Sequence, residues 1–240
     1  MIGCTCDVCR SLDFRDKRLR TALHIAVDGQ SLVVDTGPDF RQQMLREYIE
    51  RLDAVLFTHA HRDHTAGLDD VRAYNFLQNM DMPIYGSQAT LDQLAVEYAY
   101  ALSGPAYPGI PRLTLLPINE DAFTVNGTSI LPLPVMHLRM PVFGFRIGNF
   151  SYITDANYIP EETFERLQGT EVLVLNALQR EHHISHFNLG EALETIQRIA
   201  PRQTYLTHIS HKLGLHSAVQ HELPASVALA YDGLQVDIAQ

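Results

Sequence analysis

The stretch AVLFTHAHRDH, from Ala54 to His64, constrains this chain more than any other. Ala54 to Phe57 reads as a buried apolar strand that stops at Thr58. Four side chains able to hold a metal follow at once: His59, His61, Asp63 and His64. His59 and His61 stand two apart, so an extended or turning backbone aims both imidazoles the same way. Asp63 and His64 come round in the next turn. Imidazoles and a carboxylate crowded at a strand end suit a divalent cation, and an apolar core excludes them.

Further along, single polar residues end other apolar runs. His137 closes SILPLPVM, Asp155 closes FSYIT, and His208 follows the strand expected from Gln203 to Leu206. One such residue is usually a cap or turn former; several at strand ends point to convergence on one site. Asp35 ends the strand Ser31 to Asp35 and leaves two readings open. It caps the helix expected over Pro38 to Tyr48, or it orients a metal-bound histidine. His186 lies in REHHISHF, just ahead of a helix expected from about Leu189 to Ala200 with Asn188 as N-cap. That helix N-terminus suits an anion. His182 and His183 read as solvent-facing, and no role is assigned to them.

Cys4, Cys6 and Cys9 are all the cysteines in the chain. An odd count at this spacing disfavours ordinary disulfides. The three supply most of a tetrahedral zinc site, lacking a fourth ligand, or they are free thiols at a frayed terminus.

Strands at Thr21 to Val27 and Ser31 to Asp35 are expected to pair through Asp28-Gly29. Helices are expected over Gly67 to Asn79 and Gln88 to Tyr100. The proline-rich run Ser103 to Pro111 reads equally as a connector or as the cover of a pocket. Ala225 to Tyr231 and Leu234 to Ile238 are expected to close the chain as a hairpin about Asp232-Gly233. Strands and helices alternate with no linker or low-complexity segment. The expectation is one domain, residues 1–240, of two mixed sheets between helices, with a cysteine-rich segment at 4–9.

A chain of 240 residues can bury a full core. No apolar run approaches the roughly 20 residues of a membrane span, and no signal-peptide pattern opens the chain, so a cytoplasmic location is expected. The net charge of −10 disfavours a grip on long nucleic acid. A small anion drawn to a pocket of bound cations is compatible with that charge.

Together these residues resemble the metallo-β-lactamase superfamily, through THAHRDH as its H-x-H-x-D-H signature and through the order His137, Asp155, His208. Within it the chain is similar to the PhnP-type phosphodiesterases, through GCTCDVC at the N-terminus, ISHFNL at Ile184 to Leu189 and THISH at Thr207 to His211. The resemblance implies an α/β, four-layer αββα sandwich. Family members place a strand and a Gly-rich turn before the cysteines. This chain starts almost at them, so the first strand is expected to be missing or truncated. Two active-site ions, manganese or zinc, are implied: one held by His59, His61 and His137, the other by Asp63, His64 and His208, with Asp155 bridging. Cys4, Cys6, Cys9 and His211 are implied to hold a separate structural zinc. His186 is implied to contact phosphate or to protonate the leaving oxygen.

The function so implied is a metal-dependent phosphodiesterase that hydrolyses small, cyclic phosphodiesters with a metal-bridging hydroxide. Its partner is a small anionic diester, and the family suggests a homodimer. Rival readings are a tRNA 3′-processing nuclease, a thioesterase or lactamase, and a non-catalytic metal or redox sensor. A purely structural site closes at four ligands, which argues against the last.

Overall fold

A computed structural model describes residues 1–104 and 107–238. Pro105 and Ala106, within the proline-rich run, lie outside the described residues. The chain divides into two compact units, Arg20–Ser129, and Met1–Leu19 together with Ile130–Gln240.

The Arg20–Ser129 unit holds a five-stranded sheet in the order β1-β2-β3-β4-β5: Leu23–Val27, Gln30–Val34, Ala54–Leu56, Met82–Gly86 and Leu113–Pro117. β1 and β2 pair antiparallel through Asp28-Gly29, whose φ values of 51° and 73° are those a tight hairpin turn needs. β2 to β5 are parallel, and the crossovers carry the helices Phe40–Arg46, Arg72–Gln78 and Gln88–Glu97. Central parallel strands bury both faces, which is why Ala54–Leu56 is an unbroken apolar run with every residue buried. Around it pack Val33, Phe40, Phe57, Leu68, Ile84 and Leu94. The expected helix Gly67 to Asn79 divides into a 3₁₀ turn, Leu68–Val71, and the helix Arg72–Gln78, which ends at Asn79 in the left-handed region. A short strand β6, Phe123–Val125, turns at Asn126-Gly127 into the long strand that follows.

In the other unit the strands are β7 (Thr128–His137), β8 (Met140–Ile147), β9 (Phe150–Ile153), β10 (Val172–Asn176), β11 (Gln203–Thr207) and β12 (Val227–Leu229). β7, β8 and β9 form an antiparallel meander; β9, β10, β11 and β12 are parallel neighbours. The helix Leu189–Ile199 joins β10 to β11. Asn188 and Glu191 close a capping box at its start, each side chain accepting from the other's backbone N–H at 2.9 Å. Leu189, Ala192 and Ile196 face a core that includes Leu173, Leu175 and Leu206.

The closing hairpin expected from sequence does not form. Val227–Leu229 instead pairs parallel to β11 after a helix, His216–Glu222, that the sequence reading missed. The parallel arrangement buries Val227 and Leu229 in the core. The run after Gly233 has little to bury, since Gln235, Val236 and Asp237 are exposed, and it joins no ladder. Among the described residues no helix is long and apolar enough to cross a membrane.

Candidate active site

In the Arg20–Ser129 unit, Val34 and Leu56 are partners in register, so Asp35 and Thr58 emerge at the same carboxyl edge of parallel strands. Asp35 turns there with φ 65° while its backbone N–H donates to the Leu56 carbonyl at 2.9 Å. Its carboxylate is fully buried and takes three donors: the Thr58 N–H at 2.9 Å, the Thr58 hydroxyl at 2.9 Å and His64 Nδ1 at 2.7 Å. A carboxylate only accepts, so His64 carries its proton on Nδ1 and its lone pair on Nε2. The Thr58 hydroxyl gives its proton to Asp35 and therefore accepts from His59 Nδ1, also at 2.9 Å. His59 is thereby set in the same tautomer. Asp35 does not cap the helix Phe40–Arg46, whose N-cap is Asp39; its carboxylate faces Thr58 and His64 instead.

The ring of His59 lies 4.6 Å from that of His61 and 4.4 Å from that of His64. Asp63 is half-buried, with Oδ2 3.8 Å from His64 Nε2. Gly37 and Gly67 allow this loop to close. A Cβ on Gly37 would collide with the Asp63 carbonyl oxygen, and one on Gly67 with the Gly37 carbonyl oxygen.

In the other unit, β9 and β11 deliver Asp155 and His208 at their carboxyl ends, both in the left-handed region at φ 58° and 52°. Non-glycine residues there cost on the order of 1–3 kcal/mol, strain that clusters at functional sites. Asp155 Oδ2 accepts from the Thr154 hydroxyl at 2.7 Å and lies 3.2 Å from His208 Nδ1. His137 donates from Nδ1 to the Ser185 carbonyl at 2.8 Å, the tautomer already seen in His59 and His64. His186 sits among these groups: its ring is 4.7 Å from His137 and stacks at 4.8 Å on His208, and its Nδ1 is 3.6 Å from Asp155 Oδ1. The ligand atoms of His137, Asp155 and His186 all lie within 4.8 Å of one another. Burial foremost, then the neighbouring His208, push His186 down to about 3 against the pull of Asp155; His137 and His183 add to the lowering. His183 is not solvent-facing as expected but half-buried, its ring 5.1 Å from His186. His182 is exposed and pairs with Glu191 at 3.1 Å.

The cysteine segment forms a third group. Cys4, Cys6, Cys9 and His211 bring their ligand atoms within 4.8 Å of one another. His211 Nδ1 is 3.5 Å from the Cys4 sulfur and 3.4 Å from that of Cys6. Cys6 caps the short helix Asp7–Arg10, which places Cys9 one turn away. Three thiols and an imidazole are the donor set of a closed zinc site, and the residues present fit it. The supporting residues Thr58, Thr154 and Ser185 were missed in the sequence. Thr58 and Thr154 had a usable signal, each being a threonine immediately ahead of a ligand at a strand end.

A family model described as "Beta-lactamase superfamily domain" matches residues 30–209. Among solved structures, "Crystal Structure of a New Diphosphatase from the PhnP Family" superposes with a TM-score of 0.92 at 35% identity, covering 99% of this chain and 92% of the other. Among curated proteins, an "Octanoyltransferase" from Porphyromonas gingivalis (strain ATCC BAA-308 / W83) is 39% identical over 99% of this chain and 48% of its own length. A "Ribonuclease Z" from Bradyrhizobium diazoefficiens is 30% identical over 54% of this chain and 44% of its own length. The chain thus spans about half the length of the curated relatives it matches.

Proposed function

The chain belongs to the metallo-β-lactamase superfamily and within it resembles the PhnP family, and from that premise we propose that it is a metal-dependent phosphodiesterase acting on small anionic diesters. The observation that carries the reading is the placement of His186. It is a buried imidazole, held neutral, stacked on His208 and 3.6 Å from the Asp155 carboxylate. A neutral imidazole offers an N–H without adding charge, which suits a hydrogen bond to a phosphoryl or leaving oxygen.

The donor sets fit divalent cations, because His59, His64 and His137 each have Nδ1 tied to an oxygen and so carry the ligand lone pair on Nε2. By the resemblance, His59, His61 and His137 would hold one ion and Asp63, His64 and His208 another, with Asp155 contributing its carboxylate. The ions would be manganese or zinc, with a further zinc at the cysteines. Bound divalent ions supply Lewis-acid polarisation and lower the pKa of water. The chain's own residues do the rest. Asp35 and Thr58 lock two rings, the Ser185 carbonyl locks a third, and Thr154 hydrogen-bonds the Asp155 carboxylate. His186 supplies the N–H beside it. A cyclic diester substrate and a homodimer complete the proposal.

A substrate panel on metal-loaded protein tests it: a bis-aryl phosphodiester, a ribose cyclic phosphate, pre-tRNA, a cephalosporin and an acyl thioester. Diester cleavage is expected. His186→Ala should lower kcat by about 10² to 10⁴ with metal content unchanged, and Asp63→Ala should abolish turnover. Turnover of lactam or thioester without diester cleavage overturns the reading. The ribonuclease Z similarity favours a second reading, cleavage of pre-tRNA. The net charge of −10 weighs against it, and the pre-tRNA arm of the panel decides.

A further inference from the structure

Diester hydrolysis calls on a hydrogen-bond donor twice, once at a phosphoryl oxygen and once at the oxygen that leaves. His186 is buried, with His137, Asp155 and His208 packed about it. A ring enclosed in this way can hold an N–H against an oxygen but is poorly placed to draw protons from water. His183 lies beside it, half-buried, with its ring 5.1 Å away and tilted by 43°.

The segment carrying both rings is pinned to the site. The Phe187 N–H donates to the carbonyl of Ala156, the residue after Asp155, at 2.7 Å, and the Leu178 N–H donates to the Phe187 carbonyl at 3.0 Å. Between the two rings, Ser185 holds on in two directions. Its carbonyl accepts from His137 Nδ1 at 2.8 Å, while its N–H and its hydroxyl both reach His183 Nδ1 at 3.4 Å. A backbone N–H only donates, so the neutral His183 ring is bare at Nδ1 and carries its proton on Nε2. That is the reverse of His59, His64 and His137, whose Nδ1 atoms face oxygens and whose Nε2 atoms keep the lone pair. Among the described residues, His183 Nε2 has no hydrogen-bond partner. The Ser185 hydroxyl also suits a ring that changes state. It donates to a bare Nδ1 and accepts from a protonated one, so His183 keeps this partner wherever its proton sits.

We propose that His183 is a catalytic residue that protonates the leaving ester oxygen, while His186 holds a phosphoryl oxygen. The inference rests on the phosphodiesterase reading and deepens it by dividing the two donor roles between two rings. As hydroxide bonds to phosphorus, the bond to the leaving oxygen breaks and its electron pair stays on that oxygen. The oxygen takes the proton from Nε2 of the His183 imidazolium. The ring keeps its other proton on Nδ1, donating to Ser185 Oγ, and is recharged from the solvent that its half-buried position leaves within reach. An alkoxide needs such a proton in order to leave, and p-nitrophenolate does not.

The test compares two diesters that differ only in the leaving group, thymidine 5′-(p-nitrophenyl phosphate) and thymidine 5′-(ethyl phosphate). Both are read on metal-loaded protein as thymidine 5′-phosphate separated by chromatography. Wild type is expected to cleave both. His183→Ala should lower kcat for the ethyl ester by about 10²- to 10⁴-fold and leave the nitrophenyl ester within about two-fold. His183→Asn keeps an acceptor for the Ser185 N–H but has no proton to transfer, so it should be as slow as His183→Ala on the ethyl ester. His186→Ala should slow both esters alike. Equal losses on the two esters in His183→Ala, no loss on either, recovery in His183→Asn, or a leaving-group dependence that follows His186 instead overturns the inference and leaves the phosphodiesterase reading standing. Wild type that cleaves the nitrophenyl ester alone overturns it in the same way. Wild type that cleaves neither overturns both.

Discussion

Asp35 Oδ2 stands 2.7 Å from His64 Nδ1 with both side chains buried, and the same carboxylate also takes the N–H and hydroxyl of Thr58. One residue therefore sets two ring orientations, His64 directly and His59 through Thr58. Asp35→Asn keeps the shape but turns one acceptor oxygen into an NH₂ group facing a donor. Metal affinity is expected to fall about 10- to 100-fold, the usual cost of losing a carboxylate behind a ligand histidine. Competition with a fluorescent chelator checks this, and unchanged affinity would show that Asp35 does not set the rings.

The glycines behind the loop bear on folding more than on chemistry. Gly67→Ala places a methyl against the Gly37 carbonyl and within 2.9 Å of Phe40 Cβ. Backbone on one side and a core side chain on the other have little room to yield. A loss of about 1–3 kcal/mol is expected from such overpacking, read as a lower urea midpoint. Because the crowded backbone includes Thr36, whose N–H donates to the His64 carbonyl at 2.7 Å, weaker metal binding should accompany it.

Much of this candidate site is legible in the sequence because its candidate ligands stand at strand ends, where an apolar run stops at a polar residue that packing does not require. Ala54 to His64, His137 and Asp155 all have that signature. The cysteine spacing likewise marks a four-donor group short of one member. What escapes is decided by contacts distant in sequence. That Asp35 orients His64 rather than capping a helix depends on the pairing of β2 with β3. That His183 is half-buried depends on where the loop before Leu189 folds back. The C-terminal error has the same origin: Asp232-Gly233 is a genuine turn signal, and the Asp232 carboxylate accepts from the Leu19 N–H at 2.9 Å. Burial of Val227 and Leu229 against β11 outweighs the local preference for a hairpin. Strand β6 also had an unused local signal, the Asn126-Gly127 turn.

A buried histidine away from the candidate site predicts an acid limit to stability. Arg18 Nη2 lies 3.1 Å from His216 Nδ1, and the His216 backbone N–H donates to Asp16 Oδ1 at 2.8 Å. A guanidinium only donates, so His216 accepts at Nδ1 and is neutral there. Burial first, then Arg18 and Arg15, lower its pKa against the pull of Asp13 and Asp16. The unfolded chain therefore takes up this proton first as pH falls below about 6.5, and stability should drop in that window. His216→Asn keeps an acceptor at the Nδ1 position without titrating. Urea unfolding at pH 7.5 and 5.5 should show a smaller loss in the variant than in wild type; equal losses would sink the assignment.

The cysteine group gives the last prediction. The Cys9 backbone N–H first, and the His211 imidazole next, bring the Cys6 thiol down to about 6 against its burial. The Cys6 sulfur is therefore a thiolate at neutral pH, the form that binds metal. Its lowered pKa makes zinc retention strongest at neutral and alkaline pH and lets protons compete as pH falls through about 6. Cys6→Ser should contain one zinc per chain fewer than wild type and leave the donors around His59 and Asp155 unaltered. Because His211 follows His208 by three residues, releasing His211 should also loosen the segment that carries His208, lowering kcat by a few-fold rather than abolishing it. Elemental analysis beside steady-state kinetics reads both effects. Full zinc content in Cys6→Ser would mean that this cluster does not hold the metal.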